Sequence, residues 1–355
     1  MIVTSNLEMK VLVTGARGFI GKAIVEKLRR SKIEVLEIQS QRLDEENDLA
    51  ENEIYKVKKF KVDITKKDEI LSLKKIGSVD AVVHAAGLAH QFKDAKSEEF
   101  RSVNVKGTEN ILELSKFLKI KHFILISSVS VYGNEKNSFK LPGITEDAEC
   151  YPGDFYAESK FEAEKITRRI CQATGVNLTI LRLATVIGEE DRGNFRRLIK
   201  AIDKRRFLWI GKGINYKSLI HREDVAGAVC KLLVEKLEKK SVEKSVKNKE
   251  KKIAVEIFNV SAEPLPMKEI VEIIAGALNK SVFNLSVNEK LLRHIFAVNC
   301  KTLKNKKIEK VRQTVEKWLA DDAYSSQKLK REYDYEPKIT IKEAIIREVK
   351  WYLQQ

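Results

Sequence analysis

A glycine-rich turn between a predicted strand and a predicted helix constrains the fold of this 355-residue chain more than any other feature. The apolar run Lys10–Thr14 is followed by Gly15, Gly18 and Gly21, and Phe19–Arg30 then has helical spacing. Glycines at such a turn let backbone amides approach a pyrophosphate, although they could also only let the helix pack closely on a sheet. Because the strand and the helix are both predicted, the segment favours dinucleotide binding.

After this turn, β-branched runs alternate with segments of helical spacing. The helical segments Glu98–Leu118 and Phe155–Thr174 lie between some of the runs. This alternation predicts an α/β fold, a Rossmann-type doubly wound parallel sheet covered on both faces. The predicted strands after the first are Ile33–Ile38, Phe60–Ile64, Val79–Val83, His122–Ile126, Asn177–Leu183 and Glu256–Val260.

The later part of the chain is less regular, and there we expect a smaller, C-terminal substrate-binding domain. We assign residues 1–183 and 219–262 to the dinucleotide-binding domain, and residues 184–218 and 263–355 to the substrate-binding domain. Residues 235–252 contain eight Lys against four Glu and no aromatic residue. We therefore predict that this stretch is a solvated basic insertion, which could be a helix that continues into a flexible loop.

Composition narrows the functional class. The chain has 67 Lys and Arg against 51 Asp and Glu, a formal net charge of +16, and 43% hydrophobic residues, which indicates a globular protein. No basic face with defined geometry is visible for a nucleic acid or an anionic membrane, so we expect no nucleic-acid partner. With no signal-like start and no apolar run of ~18–20 residues, we expect a cytoplasmic protein without a membrane span. The four scattered cysteines indicate neither a disulfide framework nor a metal site.

The end of the second predicted strand bears on the choice of dinucleotide. An acidic residue there would bind the ribose 2′-hydroxyl of NAD, but this chain has Gln39, with Arg42 nearby and Arg17 in the glycine turn. Guanidinium groups suit a 2′-phosphate, so the sequence favours NADP. The alternative is NAD, with Gln39 bonded to the ribose hydroxyls and Arg42 solvated.

A Tyr-x-x-x-Lys pair indicates catalysis only through its position. Four matches exist, but Tyr156 alone opens a strongly helical segment after the fifth predicted strand, and its spacing to Lys160 places both side chains on one helical face. A phenol with a pKa of ~10 is a poor base at neutral pH, and a neighbouring ammonium would stabilise its phenolate form. Ser128, near the end of the preceding strand, could bind a substrate oxygen.

The order of these motifs resembles the extended short-chain dehydrogenases/reductases, also called the NAD-dependent epimerase/dehydratase family. The resemblance covers most of the chain and includes its tail, 320–337. Its motifs are the TGxxGFIG turn, Asp63, His84-Ala85-Ala86-Gly87, Asn104-Val-Lys-Gly-Thr108, Ser127-Ser128-Val-Ser-Val-Tyr-Gly133 and Tyr156-x-x-x-Lys160.

The family chiefly modifies nucleotide sugars, and the resemblance implies a role for each matched residue. Tyr156 would be the acid/base, Lys160 would bind the nicotinamide ribose and Ser128 the sugar oxygen. Asp63 would contact the adenine and Asn104 would brace the fourth strand, although an N-cap and an ordinary helix polar group are the structural alternatives. A homodimer is also expected.

The full set of expected site residues follows from the turn and the resemblance, with no metal ligands. The catalytic residues are Ser128, Tyr156 and Lys160. The substrate-binding residues are His90, Ser128, Ser130, Asn194 and Lys217. The cofactor-binding residues are Gly15, Arg17, Gly18, Phe19, Ile20, Gly21, Gln39, Arg42, Asp63, Ile64, Ala85, Ala86, Gly87, Asn104 and Lys160.

Departures from the family pattern narrow the expected reaction. Sugar dehydratases carry Thr-Asp-Glu where this chain has Ser128-Val-Ser130, and many 4-epimerases carry an asparagine where it has Thr185. The segments around Asn194 and Lys217 are similar to those of reductases of UDP-linked 4-keto-6-deoxy-N-acetylhexosamines, although Asn194 could equally cap a helix. The sequence therefore favours a 4-keto-sugar reductase. The alternatives are a UDP-hexose 4-epimerase and a non-catalytic protein that senses dinucleotides.

Overall fold

A computed structural model of the chain describes residues 9–40, 58–89, 97–133, 143–243, 253–282, 286–287, 315–316 and 318–355, with the backbone alone for 238–243. Among these residues, no helix combines the length and the apolar content needed to cross a membrane. Two of the expected site residues, Arg42 and His90, lie outside the described residues.

Seven parallel strands form the central sheet, and all seven correspond to the predicted runs. In spatial order they are β11, β6, β5, β4, β1, β2 and β3, so the strand order reverses at β1 and β4. Reversal opens a crevice at the carboxyl ends of those two strands. The strands are β1 Lys10–Thr14, β2 Glu34–Gln39, β3 Lys58–Lys61, β4 Ala81–His84, β5 His122–Ser128, β6 Asn177–Leu183 and β11 Val255–Val260.

Helices cover both faces of this sheet. The ends of α5 show how local sequence sets their limits: the Asp154 carboxylate accepts from the Ala157 amide at 2.9 Å, and Gly175 ends the helix at φ 75°. The helices are α1 Phe19–Arg30, α2 Lys67–Ser72, α3 Ser97–Phe100, α4 Gly107–Phe117, α5 Phe155–Thr174, α6 Asn194–Asp203, α7 Arg222–Glu243, α8 Met267–Ala277, α9 Gln327–Tyr333 and α10 Ile341–Leu353.

The predicted single helix Glu98–Leu118 is instead divided by a π-helical segment, Arg101–Lys106, between α3 and α4. The wider turn carries Asn104, whose side chain is held by the loop after β4 through Leu88. Such π segments are frequent at functional sites. Shorter 3₁₀ segments lie at Leu73–Ile76 and Val129–Tyr132.

Short strand pairs and a second hydrophobic core lie beyond the sheet. This second core joins buried residues of α6, α8 and α10, for example Ile199, Ile274 and Ile345. α9 instead shares the core of the sheet through Leu329 and Tyr333. The expected domain boundaries remain a prediction. The small strands are β7 Thr185–Ile187, β8 Trp209–Ile210, β9 Tyr216–Lys217, β10 Leu219–His221, β12 Leu265–Pro266 and β13 Ser286–Val287.

The expected basic insertion 235–252 begins inside α7, and its residues 236 and 237 are packed rather than solvated. Lys236 forms an ion pair with Glu256 of β11 at 2.7 Å, and Leu237 packs against the core of the sheet. These contacts arise because α7 continues past 235 along the sheet to Glu243. Residues 244–252 lie outside the described residues.

Candidate active site

The glycine turn lies directly against the loop that follows β4. Gly15 has φ 68°, and a Cβ on it would lie 2.7 Å from the Ala86 nitrogen; a Cβ on Gly21 would lie 2.0 Å from the Gly15 carbonyl oxygen. Either contact would force the backbone apart. The turn therefore forms a bare backbone cradle at the start of α1, which fits a dinucleotide pyrophosphate.

A chain of hydrogen bonds fixes the floor of this crevice. Thr14 Oγ1 lies 2.7 Å from His84 Nδ1, and His84 Nε2 lies 2.9 Å from Thr108 Oγ1. The Thr108 hydroxyl donates to the Asn104 carbonyl oxygen at 2.5 Å, which leaves its oxygen to accept from His84 Nε2–H. Burial, followed by the charge of Lys160, lowers the pKa of His84 to about 3, so the neutral imidazole is favoured. The motif contained His84, but its role was not predicted.

Asn104 joins the loop after β4 to helix α5. Its Oδ1 accepts from the Leu88 amide at 2.7 Å, and its Nδ2 donates to the Leu88 carbonyl at 3.0 Å and to Ser159 Oγ at 2.9 Å. A Cβ on Gly87 would lie 3.1 Å from Asn104 Oδ1 and 3.8 Å from Lys160 Nζ. The side chain thus braces the segment after β4, the position that the resemblance gave it.

The three expected catalytic residues meet at the end of β5. Tyr156, on the first turn of α5, is hydrogen-bonded to the side chain of Ser128, the last residue of β5. Lys160, one turn further along α5, is buried, and its Nζ donates to the Ile126 carbonyl oxygen at 2.5 Å. The Tyr156 ring is half-buried and packs edge-on against Phe100, with centroids 6.2 Å apart.

Burial governs the electrostatics of this pair. Burial raises the pKa of Tyr156, and the hydrogen bond with Ser128 opposes that rise. Burial lowers the pKa of Lys160 to about 8, against the charge of Glu164. The stabilisation of the phenolate by Lys160 stays a prediction, since the ammonium in this structure donates to the β5 backbone.

A buried ion pair joins the catalytic helix α5 to strand β6. Glu164 on α5 accepts from Arg182 of β6 at both carboxylate oxygens, at 3.1 and 2.8 Å, and from Ser127 Oγ at 2.5 Å. The Arg182 guanidinium lies over the Tyr132 ring at 4.8 Å. The sequence contained a signal for this pair, because both charged residues fall on predicted buried faces. Glu164 lies four positions after Lys160 on the helix, and Arg182 lies within a strand.

Gln39 is buried at the end of β2 and turns back along its own strand. Its Nε2 donates to Glu37 Oε2 at 2.6 Å, and Glu37 also pairs with Arg29 of α1. A carboxylate therefore lies one hydrogen bond from the expected ribose position. Arg17 is half-buried in the glycine turn.

The other expected cofactor residues follow β3 or open α1. Asp63 Oδ1 accepts from the Thr65 amide at 2.9 Å and from its hydroxyl at 2.8 Å; this is a turn before α2 and not the N-cap weighed as its alternative, since that position is Lys66. The Ile64 carbonyl accepts from Asn110 at 2.8 Å. Phe19 and Ile20 open α1, and Ile20 packs against the core of the sheet.

The expected substrate residues are less uniform in placement. Ser130 Oγ is buried without a hydrogen-bond partner in the part of the chain that the structure describes. Asn194 is exposed at the start of α6 and accepts from Arg197 at 3.0 Å. Lys217 donates to Asp322 Oδ2 at 2.6 Å and to the Ala320 carbonyl at 2.8 Å, so its ammonium holds the tail segment.

Comparison with known proteins identifies the family. The sequence profile of the NAD dependent epimerase/dehydratase family matches residues 11–245. The chain belongs to this family. It is an NAD(P)-dependent enzyme of the extended short-chain dehydrogenase type.

Relatives of this family member include sugar 4-epimerases. The chain is 28% identical over 277 residues to an N-acetyl-α-D-glucosaminyl-diphospho-ditrans,octacis-undecaprenol 4-epimerase of Escherichia coli O157:H7, covering 77% of this chain and 73% of that one. It is 26% identical over 355 residues to a UDP-glucuronate 4-epimerase of Thermodesulfobacterium geofontis, covering 96% and 95%.

A solved UDP-glucose 4-epimerase of Thermotoga maritima, with UDP-glucose, has the same fold as this family member, with a TM-score of 0.73 at 17% identity over 98% of this chain and 99% of that one. A UDP-glucuronic acid 4-epimerase of Bacillus cereus, in complex with NAD, gives a TM-score of 0.69 at 21% identity over the same shares.

Outside the crevice, this family member brings together Glu189, His221 and Glu223, whose ligand atoms lie within 4.8 Å of one another. Arg347 Nε donates to Glu189 at 2.8 Å and its NH2 to Glu223 at 2.5 Å. Arg222 Nε also lies 3.7 Å from Glu189. Guanidinium groups thus already balance these carboxylates, which disfavours a cation there.

Proposed function

We propose that this enzyme is a 4-epimerase of a sugar carried on a diphosphate. The observation that carries the proposal is that Tyr156, hydrogen-bonded to Ser128, lies one turn from the buried Lys160, whose Nζ lies near Gly87 in the loop that contacts the glycine cradle. A proton-transfer group, a hydroxyl that can bind a sugar oxygen and a dinucleotide cradle are the parts that reversible oxidation at C4 needs. Sugar 4-epimerases among the relatives support the choice.

The chain's own residues would perform binding and proton transfer. Gly15, Gly18 and Gly21 would hold the pyrophosphate through backbone amides. Tyr156 would take the proton from the C4 hydroxyl and return it, while Ser128 would hydrogen-bond the same oxygen. The bound dinucleotide would supply hydride acceptance from C4 and its return to the opposite face.

Burial of Tyr156 raises the free-energy cost of forming its phenolate. Its pKa lies above the ordinary value because burial disfavours the phenolate, and Ser128 is the group that offsets this. A raised pKa makes Tyr156 a weaker acid, so it gives its proton to a sugar oxygen less readily than an ordinary tyrosine would. Taking the proton from the C4 hydroxyl needs the phenolate, which the hydrogen bond from Ser128 helps to stabilise.

For the carrier, we propose UDP, with a polyprenyl diphosphate as the second possibility because of the undecaprenol-linked relative. Both carriers present a diphosphate next to the sugar.

We propose NAD as the cofactor, in place of the NADP that the sequence favours. Gln39 donates to the Glu37 carboxylate, and the same carboxylate holds the Arg29 guanidinium, so neither side chain is directed to a 2′-phosphate. The Arg42 on which the NADP expectation rested lies outside the described residues. Calorimetric titration should give tighter binding of NADH than NADPH, and Glu37→Gln should narrow the difference. Tighter NADPH binding by the wild type would contradict the proposal.

A 4-keto-sugar reductase is the second candidate, because the segments around Asn194 and Lys217 are similar to those of such reductases. The two reactions differ in net redox balance, since an epimerase regenerates its cofactor within each turnover and a reductase consumes it.

The test therefore follows sugar and cofactor together. We would incubate the purified enzyme with UDP-glucose and UDP-N-acetylglucosamine, follow C4 inversion by NMR and monitor nicotinamide absorbance. Inversion with no net change of absorbance would support the epimerase, with Tyr156→Phe as the inactive control. Oxidation of added NADPH by a UDP-linked 4-keto sugar, with no inversion of either substrate, would assign the reductase instead.

A further inference from the structure

The surface of α6 and the loop after it is strongly basic. Residues 192–217 contain nine Lys and Arg against one acid, Asp203. Its carboxylate is already engaged: Lys280 lies 2.5 Å from Oδ1, and the Tyr352 hydroxyl donates to Oδ2 at 3.0 Å. The positive charge of this stretch is thus not balanced within the segment itself.

These cations line one cleft rather than being scattered. A cleft of about 590 Å³ between α6 and the last turn of α10 is lined by five of them, Arg192, Arg196, Arg197, Lys200 and Lys204. Positions 196, 200 and 204 recur every four residues and so share one side of the helix. No described residue forms an ion pair with Arg192, Arg197 or Lys200.

Apolar and aromatic side chains form the rim of the same cleft. Leu353 is 58% exposed, and the half-buried Tyr352 lines the cleft beside it. The Arg196 guanidinium lies 5.1 Å from the centroid of the Trp351 ring. Along the chain after α6, the exposed Arg205 and Arg206 lead to another exposed leucine, at position 208.

Cations beside exposed leucine and aromatic side chains match the interface of an anionic bilayer, where phosphates meet acyl chains. A free phosphate or a nucleic acid would use the cations but leave Leu353 in water. We propose that the cleft between α6 and α10, with its leucine rim, is a docking surface for an anionic lipid membrane. The proposal goes beyond the 4-epimerase activity and does not depend on it.

The test is sedimentation of the full chain with lipid vesicles, without any sugar substrate. The wild type should bind phosphatidylcholine vesicles that contain about one-third phosphatidylglycerol, but not pure phosphatidylcholine. Binding should disappear near 1 M salt, where the Debye length is about 3 Å. Equal binding to neutral vesicles, or no binding to anionic ones, would overturn the proposal.

Two variants separate this surface from net charge. The triple variant Lys200→Gln, Lys204→Gln, Arg206→Gln should weaken binding to anionic vesicles by about 100-fold. A control triple variant with the same net charge, changed at exposed lysines 74, 75 and 116, should bind like the wild type. Equal losses of vesicle binding in the two variants would show that overall charge, and not this surface, determines the binding.

Leu353→Asn tests the apolar rim and should weaken vesicle binding by about tenfold. Retention of duplex DNA together with failure to bind vesicles would assign the cleft to another polyanion and overturn the proposal. Each variant's melting temperature and its turnover of UDP-sugars are measured separately, so a failed epimerase proposal and a failed membrane proposal give different results.

Discussion

Two regions of this enzyme each bury a glutamate, and the two carboxyl groups are stabilised in opposite ways. The catalytic wall is formed by α5 and β6, and the protonated wall is formed by α10 beside the second core. Glu164, behind the catalytic helix α5, receives both arms of Arg182 and the Ser127 hydroxyl. Glu348, on α10 beside the second core, accepts from the Gly188 amide at 2.8 Å, and its Oε1 has no hydrogen-bond partner among the described residues.

The difference lies in how each wall avoids an uncompensated buried charge. The first uses an ion pair, which ties α5 to β6 beneath Lys160. The second uses a proton: burial, with the charge of Asp191, raises the pKa of Glu348 to about 8. A wall held by a directional ion pair keeps reacting groups in a defined geometry, whereas the protonated wall makes its stability depend on pH.

The largest expected effect is on the catalytic wall. Tyr156→Phe should lower turnover by ~100–10,000-fold, because it removes the proton donor and acceptor but keeps the ring against Phe100. Dinucleotide binding, measured by calorimetry, should stay near the wild-type value. Tyr324→Phe is the control, since Tyr324 begins another Tyr-x-x-x-Lys match but lies before α9. Wild-type turnover by the Tyr156 variant would remove Tyr156 from the mechanism.

Breaking the ion pair comes next. Glu164→Gln leaves Arg182 buried and unbalanced, so unfolding should become easier by ~3–5 kcal/mol in denaturant titrations. It also removes the charge that opposes burial at Lys160, so the pKa of that ammonium should fall further. Glu162→Gln, on the same helix, breaks only an exposed pair with Arg101 and should cost ~0–1 kcal/mol. Equal losses in both variants would deny the ion pair its structural role.

Glu348 should make stability fall as pH rises. Its pKa is about 8 in the folded state and near 4.5 when exposed, so between these values the folded state holds a proton that the unfolded state has lost. Stability should therefore decrease from pH ~5 to pH ~8, by on the order of a few kcal/mol.

Glu348→Gln should remove most of that slope, because the amide oxygen can still accept from Gly188 and no charge develops. Melting temperatures of the wild type and the variant across this pH range check it. Glu343→Gln, at an exposed site on the same helix, should keep the wild-type slope. An unchanged slope in the Glu348 variant would mean that another group titrates.

The sequence predicted the parts of these walls that depend on local spacing. Six strands of the sheet, and the limits of α1 and α5, follow from apolar periodicity and end signals, whereas the predicted run Phe60–Ile64 shares only two residues with the mostly exposed β3. The pairing of Tyr156 with Lys160 follows from their separation by four residues on one helix.

Contacts between distant segments were not predicted. Arg182 lies 18 residues after Glu164, on a different element, and only the packed sheet brings them together. Likewise the turn of Gln39 towards Glu37 depends on α1, whose Arg29 holds the carboxylate. Periodicity reports which side of an element faces inward, but not which buried polar group there meets which partner.

The smallest expected effect tests the same contrast at an edge of the sheet, in the basic stretch that follows Glu235. Lys236 pairs with Glu256, which also accepts from the Tyr333 hydroxyl; the two charged residues are partly buried and Tyr333 is buried. Lys236→Ala should therefore lower the unfolding free energy by about 1 kcal/mol, between the exposed and the buried pairs. Lys231→Ala, which breaks a more exposed pair with Glu235 within α7, should cost less. Replacing residues 244–252 with a short linker should leave the melting temperature and turnover nearly unchanged, since a change in the length of a connection has a small entropic effect. A deletion that costs more than Lys236→Ala would show that this stretch, and not α7 alone, contributes to the fold.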